Sequence, residues 1–330
     1  MSGPLVYIIV LNWNGLEHLE KCLGSVTAQT YRNVKALMVD NGSTDGSIEY
    51  ACREFPDVEL IANETNLGFC KGNNLGMEKA MADGADYIAL LNNDTEVSPG
   101  WVEALVDCAE TDPNIGAVAS KMMMFDRRTV INSTGLLLSR LGFGWDRAIG
   151  EEDGPEWHES SDVIGACGGA FFVRTEVLRN VGLLPDFDIY LEDADLSLRI
   201  TGAGHRIVYE PRAVVYHKFS ATMGSGKNFR RKRYLAERNR LRLLLRNYPA
   251  GLLASNLLRL AILEARLILG GFLRREAWMA LAELKALGAA LMYLPHALAH
   301  RCRLRSMGID NRKFAPLITT DADYPREPED

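Results

Sequence analysis

Several signatures of common protein classes are missing from this 330-residue chain. Cysteine is scarce: Cys22, Cys52, Cys70, Cys108, Cys167 and Cys302 stand apart with no CxxC pair, which excludes a disulfide-dense scaffold and suits a reducing compartment. No basic residue precedes the first apolar run in MSGPLVYIIVLNWNG, so that run reads as a first strand and not as a secretory leader, and a cytoplasmic location is expected. Long apolar stretches are lacking as well. The longest uncharged stretch of the C-terminal third, residues 286–300, contains Pro295 and two histidines and falls short of the roughly twenty residues a membrane span needs, so no span is expected. No internal repeat is visible.

The phosphate-binding glycine loops are absent too. A dinucleotide-binding domain needs G-x-G-x-x-G directly after its first strand, where this chain has Asn12-Trp13-Asn14-Gly15, and no P-loop lysine motif occurs elsewhere. A nucleotide diphosphate bound here therefore needs a divalent cation to offset its charge.

What is present is an apolar, globular composition, 47% hydrophobic and 24% charged, of a length that suits about two domains. The formal net charge of −6 conceals a division. Residues 1–226 carry 17 Lys and Arg against 33 Asp and Glu, residues 227–314 carry 19 against 5, and residues 315–330 carry 1 against 5. An acidic body repels nucleic-acid phosphate unless metal intervenes, whereas a basic, apolar-rich segment suits anionic lipid, RNA or another subunit. The expected organisation is a body over 1–226, a basic helical region over 227–314 and a mobile acidic tail over 315–330.

Short apolar runs at 5–12, 34–40, 57–62 and 86–92 alternate with helical patterns at 16–29, 42–52 and 73–82. The alternation predicts an α/β fold with a mainly parallel sheet covered on both faces. Such sheets bind ligands beyond the carboxyl ends of their strands. The polar residues there are Asn12 and Asn14, then Asp40, then Asn63 to Asn66, then Asn92, Asn93 and Asp94. After about residue 115 the pattern loosens, with a helix expected near 191–203.

Asp94 ends an apolar strand behind two asparagines, an arrangement suited to Mg2+ held by one carboxylate and substrate phosphates, although Asn-Asn-Asp-Thr is equally a turn that caps a helix. Asp40 either holds a base or ribose or caps a helix. In YLEDADLSLR, the carboxylates Glu192, Asp193 and Asp195 complement a helix start, yet they also follow the small-residue stretch Gly165 to Ala170, beyond which a carboxylate can act as general base. Arg199 lies one turn after Asp195 and can pair with it. His217 ends a strand and is either structural or a partner for Asp94 in a metal site.

In order, the segments VYIIVLNWNG, VDNGSTDGS, NLGFCKGNNLG, LLNNDT, GACGGAFFVR, YLEDADLSLR and VVYH resemble the family 2 inverting glycosyltransferases with the GT-A fold, especially the rhamnosyltransferase-like branch of bacterial surface-polysaccharide synthesis. The resemblance covers residues 4–220. It implies transfer from a nucleotide-diphosphate sugar, dTDP-rhamnose before UDP- or GDP-sugars, to a glycan or polyprenyl-linked acceptor. Mg2+ or Mn2+ would be bound by Asp94 and His217, with Asn92 in place of the first aspartate of the family's D-x-D motif. Asp193 would be the catalytic base. Nucleotide-sugar contacts fall on Asn12, Asn14, Asp40, Asn66, Gly68, Asn74, Asn92 and Asn93, and acceptor-side contacts on Gly168, Gly169, Glu192, Asp195 and Arg199. Polyprenyl-linked acceptors place the enzyme peripherally on the inner face of the cell membrane.

The basic region interleaves Arg230, Arg231, Lys232, Arg233, Arg238, Arg240, Arg242 and Arg246 with leucines, which fits either interfacial helices on an anionic membrane or a homodimer contact. Two competing classes are weaker. A sugar-phosphate nucleotidyltransferase carries a glycine-rich basic loop after strand one, and a non-catalytic carbohydrate binder has no need of Asp94, Asp193 and His217 together. No nucleic-acid recognition motif is present.

Overall fold

The computed structural model describes residues 3–218 and 227–319. The chain begins β1 (Val6–Asn12), α1 (Leu16–Thr27), β2 (Val34–Asp40), α2 (Ser47–Glu54), β3 (Glu59–Ala62), α3 (Phe69–Ala82) and β4 (Tyr87–Asn92). It continues through β5 (Thr95–Val97), α4 (Trp101–Glu110), β6 (Ile115–Met124), β7 (Ile131–Ser133), β8 (Leu136–Leu138), β9 (Gly144–Asp146), β10 (Ser161–Asp162) and β11 (Ala170–Arg174). Then come α5 (Thr175–Val181), α6 (Glu192–Ala203), β12 (Arg206–His217), α7 (Lys227–Asn247), α8 (Ala250–Leu273) and α9 (Ala277–Ser306).

The main sheet runs in the order β10-β12-β6-β11-β4-β1-β2-β3. From β3 to β4 all strands are parallel, as the alternation predicts. The second half is mixed, because β11 lies antiparallel between β4 and β6 while β6 and β12 are parallel. Successive side chains of a strand point to opposite faces, and β1 divides accordingly. Val6, Ile8 and Val10 pack with α1 and α4, while Tyr7 and Ile9 pack with α3 and α6. Glycines let α3 approach closely: a Cβ on Gly72 would stand 2.5 Å from Leu11, and one on Gly76 2.6 Å from Ile9.

The C-terminal helices share a third core with the sheet body. Leu136 and Leu138 of β8, Ala194 and Leu198 of α6, Leu241 and Leu244 of α7, and Ala286 and Ala290 of α9 are buried together. The boundary expected near residue 226 lies outside the described residues. One sequence expectation needs correcting. Residues 315–319 are docked, with the Thr319 amide donating to Leu138 O at 2.8 Å, because the edge of β8 offers that carbonyl; residues 320–330 of the expected tail lie outside the described residues. Pro295 does not interrupt α9, which is long and apolar enough to cross a membrane by length and composition, although the uncharged stretch within it is short.

Candidate active site

The carboxyl ends of β1, β2 and β4 converge on a buried polar cluster. Asn12 donates to Asp40 Oδ2 at 2.8 Å, Asn93 donates to Asn12 Oδ1 at 2.6 Å, and the Ser43 amide donates to Asp40 Oδ1 at 2.7 Å. Asn12 and Asp40 are fully buried. Asp40 thus orders the Asp-Asn-Gly-Ser turn, its oxygens already engaged. Gly15 makes this packing possible, since a Cβ there would stand 2.0 Å from the Asn93 amide. Exposed around the cluster are Trp13, Asn14, whose Oδ1 accepts from the Thr44 amide at 2.8 Å, and Asn66, whose Oδ1 accepts from the Gly68 amide at 2.8 Å. Gly68 has φ +84°, open to glycine, and starts α3 at Phe69, earlier than the pattern at 73 suggests.

A second group gathers where β5, just after β4, pairs with the end of β12. Asp94 is buried, and its Oδ1 lies 3.3 Å from His217 Nε2 without a hydrogen-bond partner. His217 Nδ1 stands 2.8 Å from Asn132 Oδ1, while its Nε2 lies 3.4 Å from Asn92 Nδ2 and on the side of Asp94. O and N donors brought together in this way suit Mg2+ or Mn2+. Among the described residues no cluster of three or more His, Cys, Asp or Glu could hold a metal by itself. Such a pair leaves coordination positions for substrate oxygens.

The third group faces the second across two glycines. The Gly168 amide donates to Asp193 Oδ2 at 2.8 Å, and the Ala194 amide donates to Oδ1 at 2.7 Å. A Cβ on Gly169 would stand 3.4 Å from the Asn92 amide and 3.7 Å from His217. Asn92, Gly168, Gly169, Glu192, Asp193 and Asp146 all line one cavity of about 490 Å³, roofed by α7 residues that include Phe229 and Lys232. Burial pushes Asp193 up to about 6 against the pull of its two amide donors. Burial, and then the charge of Asp193, raises Glu192 well above the usual carboxylate range; its Oε2 has no hydrogen-bond partner. Asp146 is raised by burial as well.

Three expected contacts take other roles. Asn74 is tied to the backbone of Leu184, accepting from its amide and donating to its carbonyl, both at 3.0 Å. Asp195 is fully buried, accepting from Arg199 Nε at 2.9 Å, Arg246 Nε at 2.8 Å and Asn247 Nδ2 at 2.6 Å. Arg199 donates in addition to the carbonyls of Val181, Gly182 and Leu183. Neither Asp195 nor Arg199 reaches the cavity, because α6 turns that face inward; the pairing of the two holds. Conversely, Asp146, Asn132 and the α7 residues were not singled out from the sequence for this site. They come from the loosened region after residue 115 and from a helix whose composition advertises only its charge.

Residues 7–182 match the family described as Glycosyl transferase family 2. The chain belongs to glycosyl transferase family 2. It is thereby an enzyme, a glycosyltransferase. It is 29% identical over 240 residues, 65% of its length and 76% of the relative's, to N-acetylglucosaminyl-diphospho-decaprenol L-rhamnosyltransferase of Mycobacterium tuberculosis. Among solved structures it resembles GalNAc-T7 with UDP, GalNAc and Mn2+ at a TM-score of 0.59 and 16% identity, covering 75% of this chain and 48% of that one. It also resembles the mannosyltransferase PcManGT from Pyrobaculum calidifontis in complex with GDP-Man and Mn2+, at a TM-score of 0.50 and 17% identity over 95% of this chain and 86% of that one. The fold is GT-A: a mostly parallel sheet flanked by helices, here with a C-terminal helical segment.

Proposed function

We propose that this family 2 enzyme transfers a sugar with inversion from a nucleotide-diphosphate donor, with dTDP-rhamnose the first candidate, to a glycan or polyprenyl-linked acceptor. The observation that carries this reading is the glycine strip: Gly168 holds Asp193 on one side, Gly169 abuts Asn92 and His217 on the other, and both glycines line one cavity with Asn92 and Asp193. Asp193 takes the proton of the acceptor hydroxyl as its oxygen bonds to the anomeric carbon, opposite the departing diphosphate. Asp94 and His217 would hold Mg2+ or Mn2+, which offsets charge on that diphosphate. Asn14, Asn66 and Gly68 rim the donor side, Asn92 and Asn93 supply uncharged amides near it, and the buried Asn12 and Asp40 keep the rim in shape. Glu192, favoured in its protonated form by burial, lines the same cavity and would donate a hydrogen bond to a sugar hydroxyl bound there.

The rhamnosyl donor and the lipid-linked acceptor rest on the mycobacterial relative's name. A membrane-surface location rests on α8 and α9, which expose Leu258, Ile262, Leu269 and Leu273, and Leu284, Leu291 and Leu298, at helical spacing beside Arg259, Arg266, Arg274 and Arg275. Screening dTDP-, UDP- and GDP-sugars by thermal shift tests the donor: a donor should raise the Tm with Mg2+ or Mn2+, lose that effect in EDTA, and release nucleoside diphosphate when acceptor is added. The same shift in Asp94→Asn and wild type, unchanged by EDTA, would sink the metal assignment.

A further inference from the structure

The segment that delivers Asp193 to the cavity is bent against its own sterics. Asp188, Tyr190 and Leu191 have φ of 65°, 76° and 64°, the left-handed region that non-glycine residues avoid. Leu191 is the N-cap of α6, and no side chain caps that helix start. Such a run persists only where its surroundings over-determine it.

Those surroundings are hydrogen-bond donors from three helices aimed at successive carbonyls. Arg199 of α6 takes Val181, Gly182 and Leu183; Asn74 of α3 takes Leu184; and the Cys70 amide at the start of α3 takes Asp188 O at 3.1 Å. The strained end is held from α7. Asn239, fully buried, points one amide group at three carbonyls: Phe187 and Ile189 at 2.8 Å and Tyr190 at 3.0 Å. Its neighbour Arg238 donates to Phe187 O at 2.6 Å and pairs with Asp188 at 3.3 Å. Two amide hydrogens serving three acceptors fix the relative positions of the three peptide groups, and no apolar side chain of similar volume can do so.

Resting on the proposed reaction, we infer that Asn239 is a positioning residue for the catalytic base: through the strained 187–191 segment it sets where α6 begins, and so where Asp193 meets the acceptor hydroxyl. Asn239 touches no reacting atom. Its effect reaches Asp193 through the backbone, so it should act on turnover and not on donor binding. The basic C-terminal region then completes the active site and is more than an appendage to it.

The test uses the full chain with Asn239→Ala, the gentler Arg238→Ala, and Arg301→Ala as a control that removes a 3.0 Å hydrogen bond from α9 to Leu245 O, near the C-terminal end of α7. Hydrogen exchange read by mass spectrometry needs no substrate and reports the clamp directly. In Asn239→Ala the amides of residues 186–193 should exchange faster, kcat should fall on the order of 10²-fold with the donor KM unchanged, and the acid limb of the kcat profile should move to lower pH as Asp193 leaves its desolvated seat. Arg238→Ala should move all three in the same direction by less, and Arg301→Ala should move none. Unaltered exchange in Asn239→Ala overturns the clamp. Faster exchange with wild-type kcat, or an equal kcat loss in Arg301→Ala, overturns the positioning role. A wild type that transfers no sugar while exchange responds as expected overturns instead the reaction on which the inference rests.

Discussion

The proposed chemistry turns on a single carboxylate. Asp193 is held by two backbone amides in a half-buried, desolvated site that nonetheless raises it to about 6, a stronger base than a free carboxylate yet still mainly ionised at neutral pH. Asp193→Asn should therefore keep donor binding, measured by thermal shift, and lose about 10² to 10⁴-fold in kcat, since that is what a positioned general base contributes; near-wild-type turnover would remove it from the role. The sign of the pH dependence follows from the same shift. A carboxyl raised by burial is an active base only above its pKa, so kcat should fall as pH drops through about 6 and level off above it. Asp94 and Asp193 stand out as candidates in the sequence because each ends or follows a local pattern, an apolar strand or a small-residue stretch. Asp146, Asn132 and Asn239 do not, because each matters through a partner dozens of residues away, and nothing adjacent in the chain marks it.

At the scale of elements, α6 carries the proposed base Asp193 on one face and an ion network on the other. Burial alone would raise Asp195, but Arg246 and Arg199 outweigh it and hold it well below the usual carboxylate range. Asp195→Asn leaves two buried guanidiniums short of a charge and should cost about 3–5 kcal/mol of stability, read by denaturant unfolding; a cost below 1 kcal/mol would show the network to be dispensable. Because the folded value is depressed, the contribution of Asp195 is present above the unfolded value of about 3.9 and is lost as pH falls below it. The first four strands were legible because each is a compact apolar run. Their companion β11 was not, since the choice to insert it antiparallel between β4 and β6 is made by the packing of whole faces. The helix α6 was visible as a pattern, yet its orientation was not, and so Asp195 and Arg199 were expected on the wrong face.

The whole molecule is an acidic body fused through a shared core to basic helices. With exposed leucines and arginines along α8 and α9, the protein should float with liposomes containing anionic lipid and release at high salt, while neutral liposomes leave most of it behind. Protein that stays at the bottom of the gradient and elutes as a dimer would assign that face to a second copy. The placement of β11 bears on synthesis as well. Until residues 170–174 have left the ribosome, β4 has a neighbour on one side only, and the half-sheet β3-β2-β1-β4 waits with an open apolar edge while about eighty more residues are made. An unpaired edge is a template for other chains. The sheet's late antiparallel strand is thus also its closure, and a nascent chain that stalls between β4 and β11 is the form of this protein most exposed to aggregation.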